Sequence, residues 1–196
     1  LLFRSGAGDF FINVALALTG RRIGGPAKAS VVSSAMFGTL SGSAAANVVI
    51  TGSFTIPLMK RLGYKPTFAA GVESVSSLGG ILMPPVMGAG AFILALFLGV
   101  SYWDVAKAAT IPALIYFVSV FAMVHFEAMR QGLRPFEGAL PSLRQTLVTR
   151  GYLILPIVAI VYFLAAGYTA AMAGFWSVVT VFLISFLRSE TRLRPR

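Results

Sequence analysis

The sequence predicts an all-α integral membrane protein built from a re-entrant helical hairpin, a broken transmembrane helix and further spanning helices. Three observations lead there. Hydrophobic residues make up 57% of the chain and charged ones only 11%, whereas an ordinary soluble domain carries about 25% charged residues. Charges are missing from 29–59, 74–103 and 151–187, and 108–126 holds no Asp, Glu, Lys or Arg, only His125. Lys and Arg cluster between those runs, which is how a membrane protein sets its orientation and not how a protein builds a stripe for phosphates. The net charge of +10 therefore gives no ground for a nucleic-acid partner; the partner this composition demands is the lipid bilayer.

Residues 1–28 read as an interfacial helix or arm, because Phe10, Phe11, Val14, Ala15 and Leu18 share a helical face opposite Asp9 and Asn13. The run 29–59 would be about 46 Å long as one helix, too long for one crossing of a hydrocarbon core about 30 Å thick and too short for two. Arg21, Arg22 and Lys28 precede it, and Lys60, Arg61 and Lys65 follow it. A single crossing would strand one of these basic clusters outside. A re-entrant hairpin, two half-length arms entering and leaving on one face, avoids this. Its tip is then the polar stretch "GTLSGSAAANVVITGS" at 38–53. Non-helical backbone at membrane depth is tolerated only inside protein or along a watery cavity, so such a tip has a use.

The segment 66–103 opens with Pro66, well suited to a first helical turn, and is interrupted by Gly79, Gly80, Pro84, Pro85, Gly88 and Gly90. It reads as a broken transmembrane helix, with Tyr102 and Trp103 at interface depth beyond it. Residues 104–130 form one transmembrane helix. A polar cytoplasmic connection follows at 131–150, with Pro135 and Pro141. Residues 151–188 form two short transmembrane helices turning near Gly167, and 189–196 a cytoplasmic tail. This threading gathers the basic residues at 21–28, 60–65, 130–150 and 188–196 on the inner side and leaves Lys107 outside; Arg4 takes no side.

Enzyme chemistry finds no foothold. "GAGD" at 6–9 resembles an intramembrane aspartyl protease motif, but the other aspartate, Asp104, falls in the outer loop, and no paired acid is available for a shared proton. Ser41 lacks a GxSxG context. His125 lies at the inner end of its helix, far from the tip, where an interfacial role suits it. "GGPAK" at 24–28 lacks Walker spacing. No cofactor is called for, and the absence of cysteine removes disulfides and thiolate metal sites. A chain opening on Leu1 without a signal pattern reads as a piece of a longer protein.

The ordered pair of "SGSAAAN" (41–47) and "GGILMPPVMGA" (79–89), within a matching stretch from about 20 to 100, resembles the large membrane subunit of tripartite ATP-independent periplasmic (TRAP) transporters. "GVESVSSLGGILMPPVMGA" is similar to the fused-permease branch that works with TAXI-type solute receptors. The resemblance implies half of an elevator-type inverted-repeat secondary transporter in a bacterial or archaeal cytoplasmic (inner) membrane. It implies that solute is taken from a periplasmic solute-binding protein and that uptake is driven by a Na+ or H+ gradient. The hairpin and broken helix would be half of the moving transport domain. The other half, a second hairpin and broken helix, has no counterpart in this sequence and would be a partner, as would the small membrane subunit, fused or separate.

Sodium is a hard cation that prefers oxygen, and half-helix carboxyl ends, unwound carbonyls, hydroxyls and amides supply it at the midplane of such transporters. The cation candidates are Ser41, Ser43, Asn47 and Thr51 from the tip, with Ser76, Ser77, Gly79 and Gly80 from the broken helix. Helix amino ends at the tip and after the prolines point to Gly42, Pro84, Pro85 and Gly88 as candidates for a solute carboxylate. Packing competes with these roles: Gly38 and Gly42 suit close helix contact, and buried Ser or Thr often bonds a carbonyl one turn back. Glu73 is a candidate for proton coupling, but its place in the sequence reads as the inner interface, where snorkelling or a first-turn position explains a charge. The rival functional class is a channel or structural module, since re-entrant loops also build filters.

Overall fold

A computed structural model describes residues 7–133, 135, 136, 138 and 140–187; Arg4, Arg134, Arg188 and the tail 189–196 lie outside the described residues. The regular structure among the described residues is helical: α1 (Ala7–Thr19), α2 (Gly25–Ser41), α3 (Ala44–Arg61), α4 (Pro66–Gly79), α5 (Ala89–Leu98), α6 (Tyr102–Arg130), α7 (Leu143–Arg150), α8 (Leu155–Ala165) and α9 (Ala170–Leu187). A 3₁₀ turn, Gly151–Ile154, joins α7 to α8.

Local chemistry sets the boundaries. Pro26 and Pro66 stand in the first turns of α2 and α4, where a missing N–H costs nothing. Gly42 ends α2 in the left-handed region, φ 55°, with its N–H on the Gly38 carbonyl, the form of helix stop that glycine favours. One residue later the Ser43 hydroxyl accepts from the Ala46 N–H and starts α3. Ser101 caps α6 in the same way, through the Asp104 N–H.

α2 and α3 form an antiparallel hairpin. Ser34 of α2 bonds Thr51 of α3, Ser30 and Thr55 meet at one carboxylate, and Ala27 and Val31 share a core cluster with Met59. The ends at Gly25 and Arg61 therefore lie at the same end of the hairpin, next to Tyr64 and Ala69. α4 packs across both arms, and α6 closes the cluster with Phe117, Val120, Val124 and Ala128. α8 and α9 pair around Ile160, Leu164 and Ala173, beside Tyr102 and Trp103.

α1 buries Phe10, Phe11, Val14 and Ala15 of the expected face with Ile12 and Leu16 beside them, leaves Asp9 exposed, and differs from the expectation in Leu18, which is 51% exposed. The helix is covered from more than one direction, by Phe37 and Leu40 of α2 and Leu153 on one side, and by Ala29 and Leu140 on another. Within the connection expected over 131–150, α7 begins at Leu143. The helical run Leu143–Ala165, like Tyr102–Arg130, is long and apolar enough to cross a membrane. Much of the surface of α5 and α6 is apolar, with Leu96, Phe97, Ile111, Ile115 and Val118 exposed.

Candidate functional site

The site is built by three polar stripes. Ser30 and Ser34 lie one turn apart on α2; Asn47, Thr51 and Thr55 form a ladder on α3; Glu73 and Ser77 lie one turn apart on α4. Residues at that spacing share a helical face, and here the three faces turn toward one another, leaving every one of these side chains buried.

Glu73 is the centre of the group. Its Oε2 accepts from Ser30 Oγ at 2.7 Å and from the Thr55 hydroxyl. Its Oε1 accepts from the Thr51 hydroxyl, from Ser77 Oγ at 3.1 Å and, more loosely, from Ser34 Oγ at 3.5 Å. Gly52 makes room: a Cβ there would meet Glu73 Cγ at 3.0 Å. The expectation that Glu73 sits at the inner interface is therefore corrected. It lies in the middle of α4 with no exposed surface, because three helices close over it and hydroxyls take the place of water.

Asn47 carries the network toward the hairpin tip. Its Nδ2 donates to the Ser34 carbonyl at 3.0 Å, and Thr51 Oγ1 lies 3.3 Å from its Oδ1. A Cβ on Gly80 would meet Asn47 Nδ2 at 2.8 Å, and one on Gly38 would stand 2.5 Å from the Gly80 Cα. The carboxyl ends of α2 and α4 thus touch, backbone on backbone. On the other side of the tip a Cβ on Gly42 would come within 1.8 Å of the Met87 carbonyl oxygen. Gly88, next in the chain, is the N-cap of α5. Four helix ends therefore converge, with C-terminal carbonyls on one side and N-terminal amides on the other; the first attract cations and the second anions.

The cation candidates fall into separate groups. Asn47, Thr51 and Ser77 belong to the Glu73 network. Ser41 and Ser43 stay at the tip, where Ser41 Oγ accepts from the Ser43 N–H at 3.4 Å and Ser43 caps α3. Gly80 lines the junction, while Gly79 faces away, its missing Cβ taken up by Tyr116 at 2.4 Å. Ser76 is buried with its hydroxyl unpaired. Among the solute candidates, Gly42 and Gly88 meet at the junction. The Pro85 carbonyl turns outward and accepts from Tyr102 Oη at 3.0 Å, and the Pro84–Pro85 peptide is cis. A cleft of about 560 Å³ beside Gly88 is lined by Ile81, Leu82, Leu94, Leu98 and Pro112, with Asp104 at its edge, a lining unsuited to a carboxylate.

Ser30, Ser34 and Thr55 escaped the reading of the sequence. The signal was present: Ser and Thr recurring every four residues in a charge-free run marks a polar face that needs a partner in protein. The single polar stretch 38–53 drew attention to the tip and away from the arms.

The family model for "Tripartite ATP-independent periplasmic transporter, DctM component" matches residues 1–195. The chain is 30% identical over 84% of its length to the uncharacterized protein y4mL of Sinorhizobium fredii, covering 39% of that protein. It is 28% identical over 93% of its length to the C4-dicarboxylate TRAP transporter large permease protein DctM of Pseudomonas aeruginosa, covering 43% of it. It is also 31% identical over 60% of its length to the ectoine TRAP transporter large permease protein TeaC of Halomonas elongata, covering 27% of that one. The chain spans about two fifths of the length of the curated relatives that it matches along most of its own.

Proposed function

The chain belongs to the DctM-component family of tripartite ATP-independent periplasmic transporters, and from that premise we propose that it forms one half of the permease that carries a small anionic solute across the inner membrane, receiving it from a periplasmic binding protein and drawing on a cation gradient. In this reading α2 to α5 belong to the unit that moves in an elevator cycle, α2–α3 is re-entrant, and α6 is part of the frame. The rest of the transporter supplies the second inverted half and the small membrane subunit. The observation that carries the proposal is the meeting of four helix ends at Gly38–Gly80 and Gly42–Met87. Paired broken helices with carboxyl ends toward the coupling ion and amino ends toward an anionic group are a recurring solution in secondary transporters. A pore would need no such opposition of ends.

The finer assignments follow from the same geometry. Sodium would be held between the tip and the break by Ser41, Ser43 and the carbonyls near Gly80, with Asn47 fixing the backbone behind them. A solute carboxylate would meet the amides after Gly42 and Gly88. The relatives are named for chemically different solutes, a C4-dicarboxylate and ectoine, so the solute class rests on the helix amino ends alone. A receptor of the TAXI type rests on "GVESVSSLGGILMPPVMGA".

The test is uptake by the full-length transporter in proteoliposomes with its receptor. Asn47→Ala is expected to raise the sodium concentration for half-maximal uptake about tenfold, or about 1.4 kcal/mol, and Ser53→Ala to leave it unchanged. Uptake that ignores the receptor and does not saturate with solute would replace the transporter by a channel. A sodium curve unmoved by Asn47→Ala would remove the tip from the ion site.

A further inference from the structure

We propose that Glu73 is a proton-binding site of the transport cycle, distinct from the tip, and that Thr51 and Thr55 are the hydroxyl switches that let its carboxyl exist with and without the proton in one packed structure. This deepens the transport reading above and rests on it.

The argument starts from a conflict in the hydrogen bonds. A threonine hydroxyl has one hydrogen to donate. Thr51 Oγ1 is placed to donate to the Asn47 carbonyl at 2.9 Å and also to Glu73 Oε1. Thr55 Oγ1 is placed to donate to the Thr51 carbonyl at 2.9 Å and also to Glu73 Oε2. Neither can do both at once. With Glu73 ionised, the two threonine hydrogens turn to the carboxylate, which then accepts from Thr51, Thr55, Ser30 and Ser77, as an acceptor-only group requires. When a proton binds at Oε1 or Oε2, the carboxylic acid donates it to the oxygen of Thr51 or Thr55. That hydroxyl hydrogen then swings to the backbone carbonyl one turn back. The proton is accounted for in both forms, and the change takes only rotation of hydroxyl groups.

The surroundings of the carboxyl present no fixed counter-charge among the described residues. Of the elements packed on Glu73, α3 and α4 present Thr51, Thr55 and Ser77, which carry no charge. Lys28 of α2 is buried but directs its Nζ to His125 Nδ1 at 2.8 Å, over the Phe121 ring. Lys60 and Arg61 end α3 and Lys65 caps the start of α4, all three exposed. Among the described residues no ion pair reaches Glu73. The Glu73 carboxyl is held by neutral hydroxyl donors alone. An ion pair would lock it. The route to the transport machinery is on the page as well: Thr51 leads to Asn47, and Asn47 rests against Gly80 at the junction of the four helix ends. The choice made by the Thr51 hydrogen therefore bears on the segment where α4 breaks.

The experiment has two arms on the full-length transporter. Infrared difference spectra of the purified protein, recorded between alkaline and acidic buffer, should show a carboxylic C=O band that Glu73→Gln abolishes. Thr55→Val, which removes one donor, should move that band to higher frequency, and it serves as the assignment if Glu73→Gln does not fold. In proteoliposomes Glu73→Gln should keep solute exchange across the membrane within about twofold while accumulation driven by an imposed pH gradient falls at least tenfold, since glutamine mimics the protonated form permanently. A spectrum without a band sensitive to either variant overturns the proposal whatever the transport assay shows. So does Glu73→Gln with undiminished pH-driven accumulation. If the wild-type protein moves no solute at all, the transport reading fails, and the infrared arm still decides whether Glu73 takes up a proton.

Discussion

The interior of α2, α3 and α4 and the long helix α6 are drawn from equally apolar stretches, yet they place their hydroxyls in opposite ways. In the three-helix interior Ser30, Ser34, Thr51 and Thr55 are buried and reach across to a neighbouring helix, and Ser77 joins them on the Glu73 carboxylate of its own helix. In α6 the hydroxyls of Thr110 and Ser119 bond back to carbonyls of their own helix, Ala106 at 3.0 Å and Ile115 at 2.8 Å. A hydroxyl that serves its own helix asks nothing of its neighbours and can face lipid. One that serves another helix ties two backbones together and fixes their register. The contrast separates the part suited to hold a site from the part suited to be a frame.

The largest expected effect tests whether the two parts also differ in how they meet the bilayer. Single cysteines in place of Arg22 and Lys60 should react with an impermeant thiol reagent from the same side of the membrane, because the hairpin returns. Cysteines in place of Lys107 and Arg130, at the two ends of α6, should react from opposite sides. The result is all-or-none. Labelling of Arg22→Cys and Lys60→Cys from opposite faces would make α2–α3 a crossing pair and remove the distinction.

A smaller effect sharpens the role of the tip. Gly42→Ala forces a side chain into the left-handed region, at about 1–2 kcal/mol, and drives its Cβ against the Met87 carbonyl. Together these should lower stability by more than about 2 kcal/mol, seen as a clear drop in the midpoint of thermal unfolding in detergent. Gly90→Ala is the control. It lies in the first turn of α5 with open space around its missing Cβ, so it should leave the midpoint unchanged or raise it. Equal effects would mean that the tip does not seat on the break.

Much of this arrangement was legible in the sequence, and for identifiable reasons. The hairpin betrayed itself by a charge-free run of awkward length between two basic clusters. The break at Gly79–Gly90 showed because glycine and proline interrupt any helix, and the turn near Gly167 for the same cause. What stayed hidden depends on tertiary packing. Whether Glu73 is wet or dry is decided by the faces that Ser30, Thr51 and Thr55 turn toward it, and distance along the chain from a basic cluster does not report depth. The burial of Ile12 and Leu16 beside the expected face of α1 needed Leu140, far along the chain, to fold back over it. The site candidates at Gly79 and Pro85 failed to converge with the rest because each is engaged by α6, through Tyr116 and Tyr102, contacts that spacing alone does not reveal.

The smallest effect comes from exchanging one shape between the two regions. Valine and threonine have nearly the same outline, so swapping them changes the hydroxyl and little else. Thr51→Val in the interior removes a donor from the Glu73 carboxyl and from the Asn47 carbonyl together, leaving a buried acceptor short, a loss of about 1–3 kcal/mol. Val118→Thr adds a hydroxyl to α6 where the side chain is 66% exposed. There the new group bonds the Leu114 carbonyl one turn back, as Ser119 bonds Ile115, so the helix satisfies it without help, and the expected loss is below about 0.5 kcal/mol. Thermal unfolding of the two variants in the same detergent measures both. A Val118→Thr loss as large as that of Thr51→Val would mean that the face of α6 is packed against protein, and that its hydroxyls are as constrained as those around Glu73.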